Sequence, residues 1–136
     1  MLGENGKGSA KKMKLEVLPG EFSVCKVRDY GEVDLSAKFV FTGATDGEKS
    51  LVCPTELVPA HTLAMADGWR GMRVEGPLDF SLVGVLSALS GVLAKAQVGI
   101  FAISTFDTDY LFVKEADLGR ALAALRSANH AVGGAP

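Results

Sequence analysis

The sequence predicts an α+β protein in which two helices pack on one face of antiparallel strands. Short runs rich in β-branched and aromatic residues are bounded by Gly, Pro and Asp-Gly turns, which is the pattern of paired strands. Two later segments repeat apolar residues every three or four positions, as amphipathic helices do. Over residues 70–129 the predicted order is β-α-β-β-α, which favours the split β-α-β packing of ferredoxin-like folds.

The first half of the chain consists mainly of predicted strands. One pair of strands flanks Pro19-Gly20 and a second pair flanks a turn that contains Asp46-Gly47. Both dipeptides are strong turn signals, so each pair is predicted to form a hairpin. The four strands are residues 14–18, 22–27, 38–44 and 49–53.

The second half begins with a short strand over residues 70–75 that ends at Gly76-Pro77. Ser81 is the predicted N-cap of a helix that continues to about Ala96, because a hydroxyl there can satisfy a free backbone N–H. The predicted buried stripe of this helix is Leu82, Val85, Leu86, Leu89, Val92, Leu93 and Ala96.

Two further strands, residues 98–104 and 110–114, are joined by a bend, and a second helix follows over residues 115–129. The inward face of the second helix is predicted to carry Leu118, Ala121, Leu122 and Leu125. Arg120 and Arg126 fall on its outward face, as expected for a helix that lies on a sheet.

The two halves of the chain resemble each other. FVFTGATDGEKSLVCPTEL (residues 39–57) aligns with IFAISTFDTDYLFVKEADL (residues 100–118), with Asp46 over Asp107 and Leu57 over Leu118. Together with the similar element order, this predicts two tandem modules of one ancestral type. We therefore predict a flexible tail over residues 1–12, a degenerate N-terminal module over residues 13–67 and a C-terminal module over residues 68–133.

Composition excludes several classes of function. The formal net charge is −2, from 14 Lys and Arg against 16 Asp and Glu, and no basic stripe is present. Nucleic-acid and membrane-surface binding are therefore not expected, since both depend on clustered basic residues. No apolar run approaches the roughly 20 residues that a transmembrane helix needs. We expect a cytoplasmic protein.

Catalytic and metal-binding patterns are weak. Cys25 and Cys53 lie in β-branched runs and are predicted to be buried thiols, with a disulfide or a redox pair as the alternatives. Two histidines without a Cys-x-x-Cys pair offer no metal site of recognisable spacing, and no cofactor motif is present. His61 and His130 lack a nucleophile elbow, so we expect no enzyme activity.

A binding function is better supported, by the segment ISTFDTDYLFVKE (residues 103–115). Ser104, Thr105 and Asp109 crowd around one bend, together with Asp107 and Thr108, which suit an ordinary turn. The free N–H groups of residues 81–84, at the predicted start of the first helix, would donate hydrogen bonds to a carboxylate. Hydroxyls and helix N–H groups at one end and a carboxylate at the other would suit a zwitterion. Ser81 acting only as a helix cap is the simpler alternative.

The segment from Trp69 to Leu125, and FAISTFDTDYLFVKE within it, resembles the small tandem ACT-domain proteins of bacteria. These are similar to the ACT modules of the CASTOR arginine sensors and of aspartokinase regulatory regions. The resemblance implies a homodimer that binds an amino acid without catalysis and signals to a protein partner. On the matching motif, it implies ligand-binding roles for Ser104, Thr105, Phe106 and Asp109. At the start of the first helix, Leu82, Val83, Gly84 and Ser87 match the other wall of the pocket.

Two rival functions remain open on the sequence. One is a structural interaction module with a vestigial pocket, and the other is a fragment of an aspartokinase-like enzyme. A kinase domain would not fit in 136 residues.

Overall fold

The computed structural model describes residues 12–75 and 84–134, which form two compact units. The split unit comprises Met1–Pro19 and Arg70–Pro136, and the inserted unit comprises Gly20–Trp69. The predicted modules, residues 13–67 and 68–133, stay a prediction. The strand at residues 14–17 lies in the split unit.

Eight strands and two α-helices occur in the described residues. The strands are β1 (Lys14–Val17), β2 (Phe22–Val27), β3 (Phe41–Ala44), β4 (Lys49–Pro54), β5 (Ala64–Val74), β6 (Ile100–Ser104), β7 (Asp109–Lys114) and β8 (Ala131–Gly134). The helices are α1 (Val85–Lys95) and α2 (Leu118–Ser127), and single 3₁₀ turns follow β4 and β7. The predicted α+β class is confirmed. None of the helices in the described residues is long and apolar enough to cross a membrane.

In the split unit, the strands lie in the order β8-β1-β5-β7-β6. β1 pairs antiparallel with β5 and parallel with β8, so the predicted all-antiparallel sheet is corrected to a mixed one. The predicted hairpin of residues 14–18 with 22–27 is wrong, because β2 pairs instead with β4 and β5. Leu15 and Val17, on one face of β1, are buried in the core of the split unit, and their burial favours this pairing.

Both helices pack on that core. Leu89 and Leu93 of α1 and four residues of α2 are buried in one cluster with β-strand side chains. The α2 residues are the predicted ones, Leu118, Ala121, Leu122 and Leu125. The predicted stripes of both helices are therefore confirmed for the described residues, and Arg120 and Arg126 are exposed as expected.

The ends of the helices follow from local backbone geometry. Gln97 and Asn129 adopt positive φ angles of 61° and 72°. In each case the next residue donates its N–H to a carbonyl five positions back, which closes the helix by a Schellman motif. At the other end, α1 begins at Val85 with Gly84 (φ 86°) in the N-cap position. The predicted start at Ser81 is corrected to Val85, and Ser81 itself lies outside the described residues.

In the inserted unit, the strands lie in the order β3-β4-β2-β5. β3 and β4 form the predicted hairpin around Asp46-Gly47, with Ala44 opposite Lys49 as its last pair. Cys25 and Cys53 are 3% and 1% exposed, and both are free thiols. Their core includes Val27 and Leu51, so the prediction of two buried thiols is confirmed.

Candidate functional site

The candidate site lies at the end of the β6–β7 hairpin in the split unit. Ser104 and Asp109 face each other as the last pair of the two strands. The four-residue turn between them is closed by Thr105, whose N–H donates to the Thr108 carbonyl at 2.9 Å. The Thr105 hydroxyl donates to the same carbonyl at 3.0 Å. Thr105 therefore holds the turn itself.

Thr108 anchors this turn to β5. Its side chain is buried, with 7% exposure, and its hydroxyl donates a hydrogen bond of 2.7 Å to the carbonyl oxygen of Val74. Val74 is the last residue of β5, so the bond fixes the hairpin against the point where the chain leaves for α1. From the sequence, Thr108 was expected only to suit a turn. A hydroxyl between two aspartates carries no sequence signal of burial.

Ser104 and Asp109 form a direct side-chain pair. The Ser104 hydroxyl donates to Asp109 Oδ1 at 2.6 Å, a short bond of the kind expected for a charged acceptor. Asp109 is half-buried and Ser104 is exposed. Among the described residues, only Oδ1 of Asp109 is engaged. Oδ2 of Asp109 can therefore accept a hydrogen bond from a donor outside the hairpin.

The β3–β4 hairpin of the inserted unit shows what such a turn requires. Thr45 closes it in the same way, with its N–H donating to the Glu48 carbonyl at 2.9 Å and its hydroxyl to the same oxygen at 3.3 Å. The strand ends, however, carry Ala44 opposite Lys49 rather than a hydroxyl opposite a carboxylate. The same turn therefore forms without a Ser–Asp pair, and Ser104 and Asp109 exceed what the hairpin needs.

The two hairpins are aligned in the structure with a register that differs from the predicted one. In the structure, Thr45 corresponds to Thr105 and Lys49 to Asp109, a shift of 60 residues. The 3₁₀ turns Thr55–Leu57 and Glu115–Asp117 follow the same shift. The predicted alignment of Asp46 with Asp107 used a shift of 61 and is wrong by one residue. The predicted equivalence of the two hairpins holds.

The remaining predicted ligand residues have separate environments. Phe106, at the tip of the turn, is 82% exposed. Gly84 accepts a hydrogen bond of 2.8 Å from Ala88 N, and the Ser87 carbonyl accepts one of 3.2 Å from the Ser90 hydroxyl, so the bonds described for both lie within α1. Leu82 and Val83, like Ser81, lie outside the described residues. The approach of the helix start to the hairpin stays a prediction.

A cleft in the inserted unit is a second feature, which the sequence did not predict. The inserted unit contains a cleft of about 500 Å³ between the segment after β2 and the segment before β5. The two segments are joined by His61, whose backbone N–H and Nδ1 lie 3.3 and 2.9 Å from the carboxylate oxygens of Glu32. The hydrogen bonds from His61 hold the pKa of Glu32 below its usual value. Residues from irregular segments far apart in sequence form this cleft, so no periodicity predicts it.

Sequence and fold comparisons show which known proteins this chain is similar to. Residues 65–127 match a family model described as the ACT domain. This segment extends from β5 to α2, and it is the part of the chain that is similar to an ACT domain. The predicted resemblance is confirmed.

Individual relatives refine this classification. Over 82 residues the chain is 32% identical to the human protein named cytosolic arginine sensor for mTORC1 subunit 1, covering 60% of this chain and 24% of that protein. The chain thus spans about a quarter of the length of the curated relatives it matches. A crystal structure of a protein from Agobacterium tumefaciens superposes with a TM-score of 0.83 and 28% identity, covering 93% of this chain and 96% of that one.

The regulatory subunit of aspartate kinase from Thermus thermophilus, in its ligand-free form, has a TM-score of 0.60 to this chain. It is 8% identical, and the match covers 88% of this chain and 98% of that one. At this identity the likeness concerns the fold alone.

Proposed function

We propose that this protein is a non-catalytic regulatory protein that binds an amino acid, or a similar small zwitterion, at the Ser104–Asp109 end of the β6–β7 hairpin. The observation that carries the proposal is the contrast between the two hairpins. Thr45 and Thr105 close their turns through the same N–H and hydroxyl bonds to a carbonyl, but only the second hairpin places a half-buried carboxylate beside a hydroxyl at its strand ends. A charged group that the turn does not need is better explained by a ligand.

Each chemical group of a zwitterion has a partner in this proposal. Asp109 accepts the ammonium group through Oδ2, while Ser104 holds Oδ1 and so fixes the orientation of the carboxylate. The Thr108–Val74 bond keeps the hairpin from moving away from the end of β5. The ligand carboxylate is received by backbone N–H groups at the start of α1, where the helix dipole favours negative charge. Of the residues expected on this wall, Gly84 and Ser87 lie at the described start of the helix, whereas Ser81, Leu82 and Val83 lie outside the described residues.

The regulatory part of the proposal rests on the relatives. Part of this chain is similar in sequence to a protein named as a cytosolic arginine sensor, and the regulatory subunit of an aspartate kinase is similar in fold. We expect this protein to act in the cytoplasm as a homodimer and to transmit ligand occupancy to a protein partner. Transmission requires that the ligand bind one of two conformations more tightly than the other.

A thermal-unfolding screen over the proteinogenic amino acids tests the proposal. A ligand present at one hundred times its Kd should stabilise the protein by about 2.7 kcal/mol. Asp109→Ala should abolish the shift, whereas Asp107→Ala, at an exposed position in the same turn, should retain it. If no amino acid raises the unfolding temperature of the wild-type protein, the proposal fails.

The alternative function is a protein-interaction module with a vestigial pocket. The 82% exposed ring of Phe106 at the hairpin tip favours it, since large exposed aromatic side chains often mark interfaces. In that case Phe106→Ala would weaken binding to the partner, and the addition of amino acids would have no effect on that binding.

A further inference from the structure

The cleft of the inserted unit is built differently from the hairpin site. Its lining brings together a guanidinium, two carboxylates and an imidazole with a smaller apolar wall. The residues are Arg28, Asp29, Glu32, Pro59, Ala60, His61, Thr62 and Leu63. A volume of about 500 Å³ lies within the range typical of small-molecule sites, about 300–1,000 Å³.

The cleft has fixed walls. The Glu32–His61 pair links the segment after β2 to the segment before β5. Leu63 N donates to the Lys26 carbonyl at 2.7 Å, which ties the second segment to the end of β2. Asp29 is oriented by a hydrogen bond of 2.9 Å from Gly31 N to its Oδ1. These bonds hold the two walls at a set separation before any ligand arrives.

Arg28 is the uncommitted group in the cleft. Its guanidinium has no hydrogen bond or ion pair with the residues that the structure describes. A guanidinium is a strong donor for a carboxylate, which it can bind through two parallel N–H···O bonds. Asp29 Oδ2 likewise accepts no hydrogen bond from the described residues. One cationic and one anionic group therefore face the same space with free hydrogen-bonding capacity.

The charges of the lining select the class of ligand. Arg28 contributes one positive charge to the lining, and Asp29 and Glu32 contribute two negative charges. A simple anion would be repelled by the carboxylates, and a simple cation would be repelled by Arg28. A small molecule that carries both charges satisfies both sets of groups.

The position of the cleft within the internal repeat is consistent with this role. Arg28 directly follows β2, which pairs with β4 of the inserted hairpin. In the split unit, β5 pairs with the equivalent strand β7, and Glu75 directly follows β5. The cleft is therefore lined on one side by the residues that directly follow β2, the strand equivalent to β5. The inserted hairpin lacks the acid at its strand end, and Asp29 and Glu32 supply acids from the neighbouring segment instead.

We propose that this cleft is a second binding site for a small zwitterion, in which Arg28 binds the carboxylate and Asp29, with Glu32, binds the ammonium group. This site is independent of the one at Ser104 and Asp109. Either site can be absent without affecting the other.

NMR titration of the full chain tests the proposal, with the amide signals of the cleft residues as the readout. The probes are the twenty amino acids, with acetate, methylammonium and inorganic phosphate as single-charge controls. Amino acids should shift the signals of Asp29, Glu32 and Leu63 in a saturable manner. If acetate or phosphate alone gives equal affinity, or if no probe shifts these signals, the proposal is overturned.

Matched variants assign the effect to the cleft. Arg28→Gln should weaken binding about tenfold or more, because a charge-assisted bond is lost. Lys38→Gln makes the same charge change at an exposed position of the same unit outside the lining, and it should leave the affinity unchanged. Equal effects of the two variants would show that only net charge matters, which contradicts the proposal. In Asp109→Asn the cleft signals should respond as in the wild type, so the two proposed sites can fail separately.

Discussion

The sharpest test of the packing in the split unit is Gly71→Ala. A Cβ at this β5 position would lie 2.8 Å from Phe112 Cε2 and 3.3 Å from Leu18 Cδ1. Both side chains are fully buried or nearly so, and the Phe112 ring stacks on Phe101 with a centroid distance of 4.7 Å. The ring therefore cannot retreat without disturbing a second aromatic side chain.

Overpacking of this kind costs about 1–3 kcal/mol. At about 4 °C per kcal/mol for a chain of this size, the unfolding temperature should fall by roughly 4–12 °C. Gly91→Ala in α1 is the matched control, because an added Cβ there meets no atom within 4 Å. The control should raise the unfolding temperature by a few degrees, since alanine favours a helix over glycine by about 1 kcal/mol. Differential scanning calorimetry measures both variants. An unchanged unfolding temperature for Gly71→Ala would refute the close contact with Phe112.

Three further predictions follow from buried polar groups. Thr108→Val removes the 2.7 Å bond to the Val74 carbonyl, and the free energy of unfolding in urea should fall by about 1–2 kcal/mol. Thr42→Val, at an exposed strand position, should leave that free energy unchanged. Equal losses in the two variants would contradict the anchoring role of Thr108. Burial lowers the pKa of His130 below its usual 6.5, and its Nδ1 accepts a 3.0 Å bond from Met13 N that a protonated ring cannot accept. Because the imidazole of His130 binds a proton more readily in the unfolded chain, the stability of the fold should decrease as the pH drops below about 6.5. The variant His130→Gln should lose less stability over this pH range than the wild type. The control His61→Gln should lose as much as the wild type. Burial raises the pKa of Cys53 to about 11 and also raises the pKa of Cys25. Both thiols should therefore resist a thiol reagent at pH 8 until the protein is unfolded. Rapid labelling of the native protein would contradict their burial.

The sequence predicted those parts of the fold that depend on local pattern. Asp46-Gly47 identified one hairpin, and three-to-four-residue periodicity identified both helical stripes, because turn geometry and amphipathic burial act over a few residues. β1 shows the limit of this reasoning. Its alternation of Lys14 and Glu16 with Leu15 and Val17 specifies one buried face, but not which sheet buries it.

The candidate site was predicted in part for the same reason. Ser104 and Asp109 stood out because their chemistry exceeds that of a turn, and the structure pairs them. The register of the repeat could not be read from identity alone. The sequence aligned two acids, whereas the structure aligns the two turn-closing hydroxyls of Thr45 and Thr105. The cleft around Arg28 depends on contacts between segments some thirty residues apart, such as Glu32 with His61, which no local pattern encodes.

The central claim is that the Ser104–Asp109 pair serves a ligand rather than the hairpin. Calorimetry of the wild type and Asp109→Asn, without ligand and then titrated with the most stabilising amino acid, separates the two roles. Ala44 and Lys49 complete the equivalent turn without such a pair, so the unliganded proteins should unfold within about 2 °C of each other, a difference of ~0.5 kcal/mol. Affinity for the amino acid should fall at least about tenfold, because the ammonium group loses its charged partner. A variant that unfolds several degrees earlier yet binds the amino acid with unchanged affinity would show that the pair belongs to the fold.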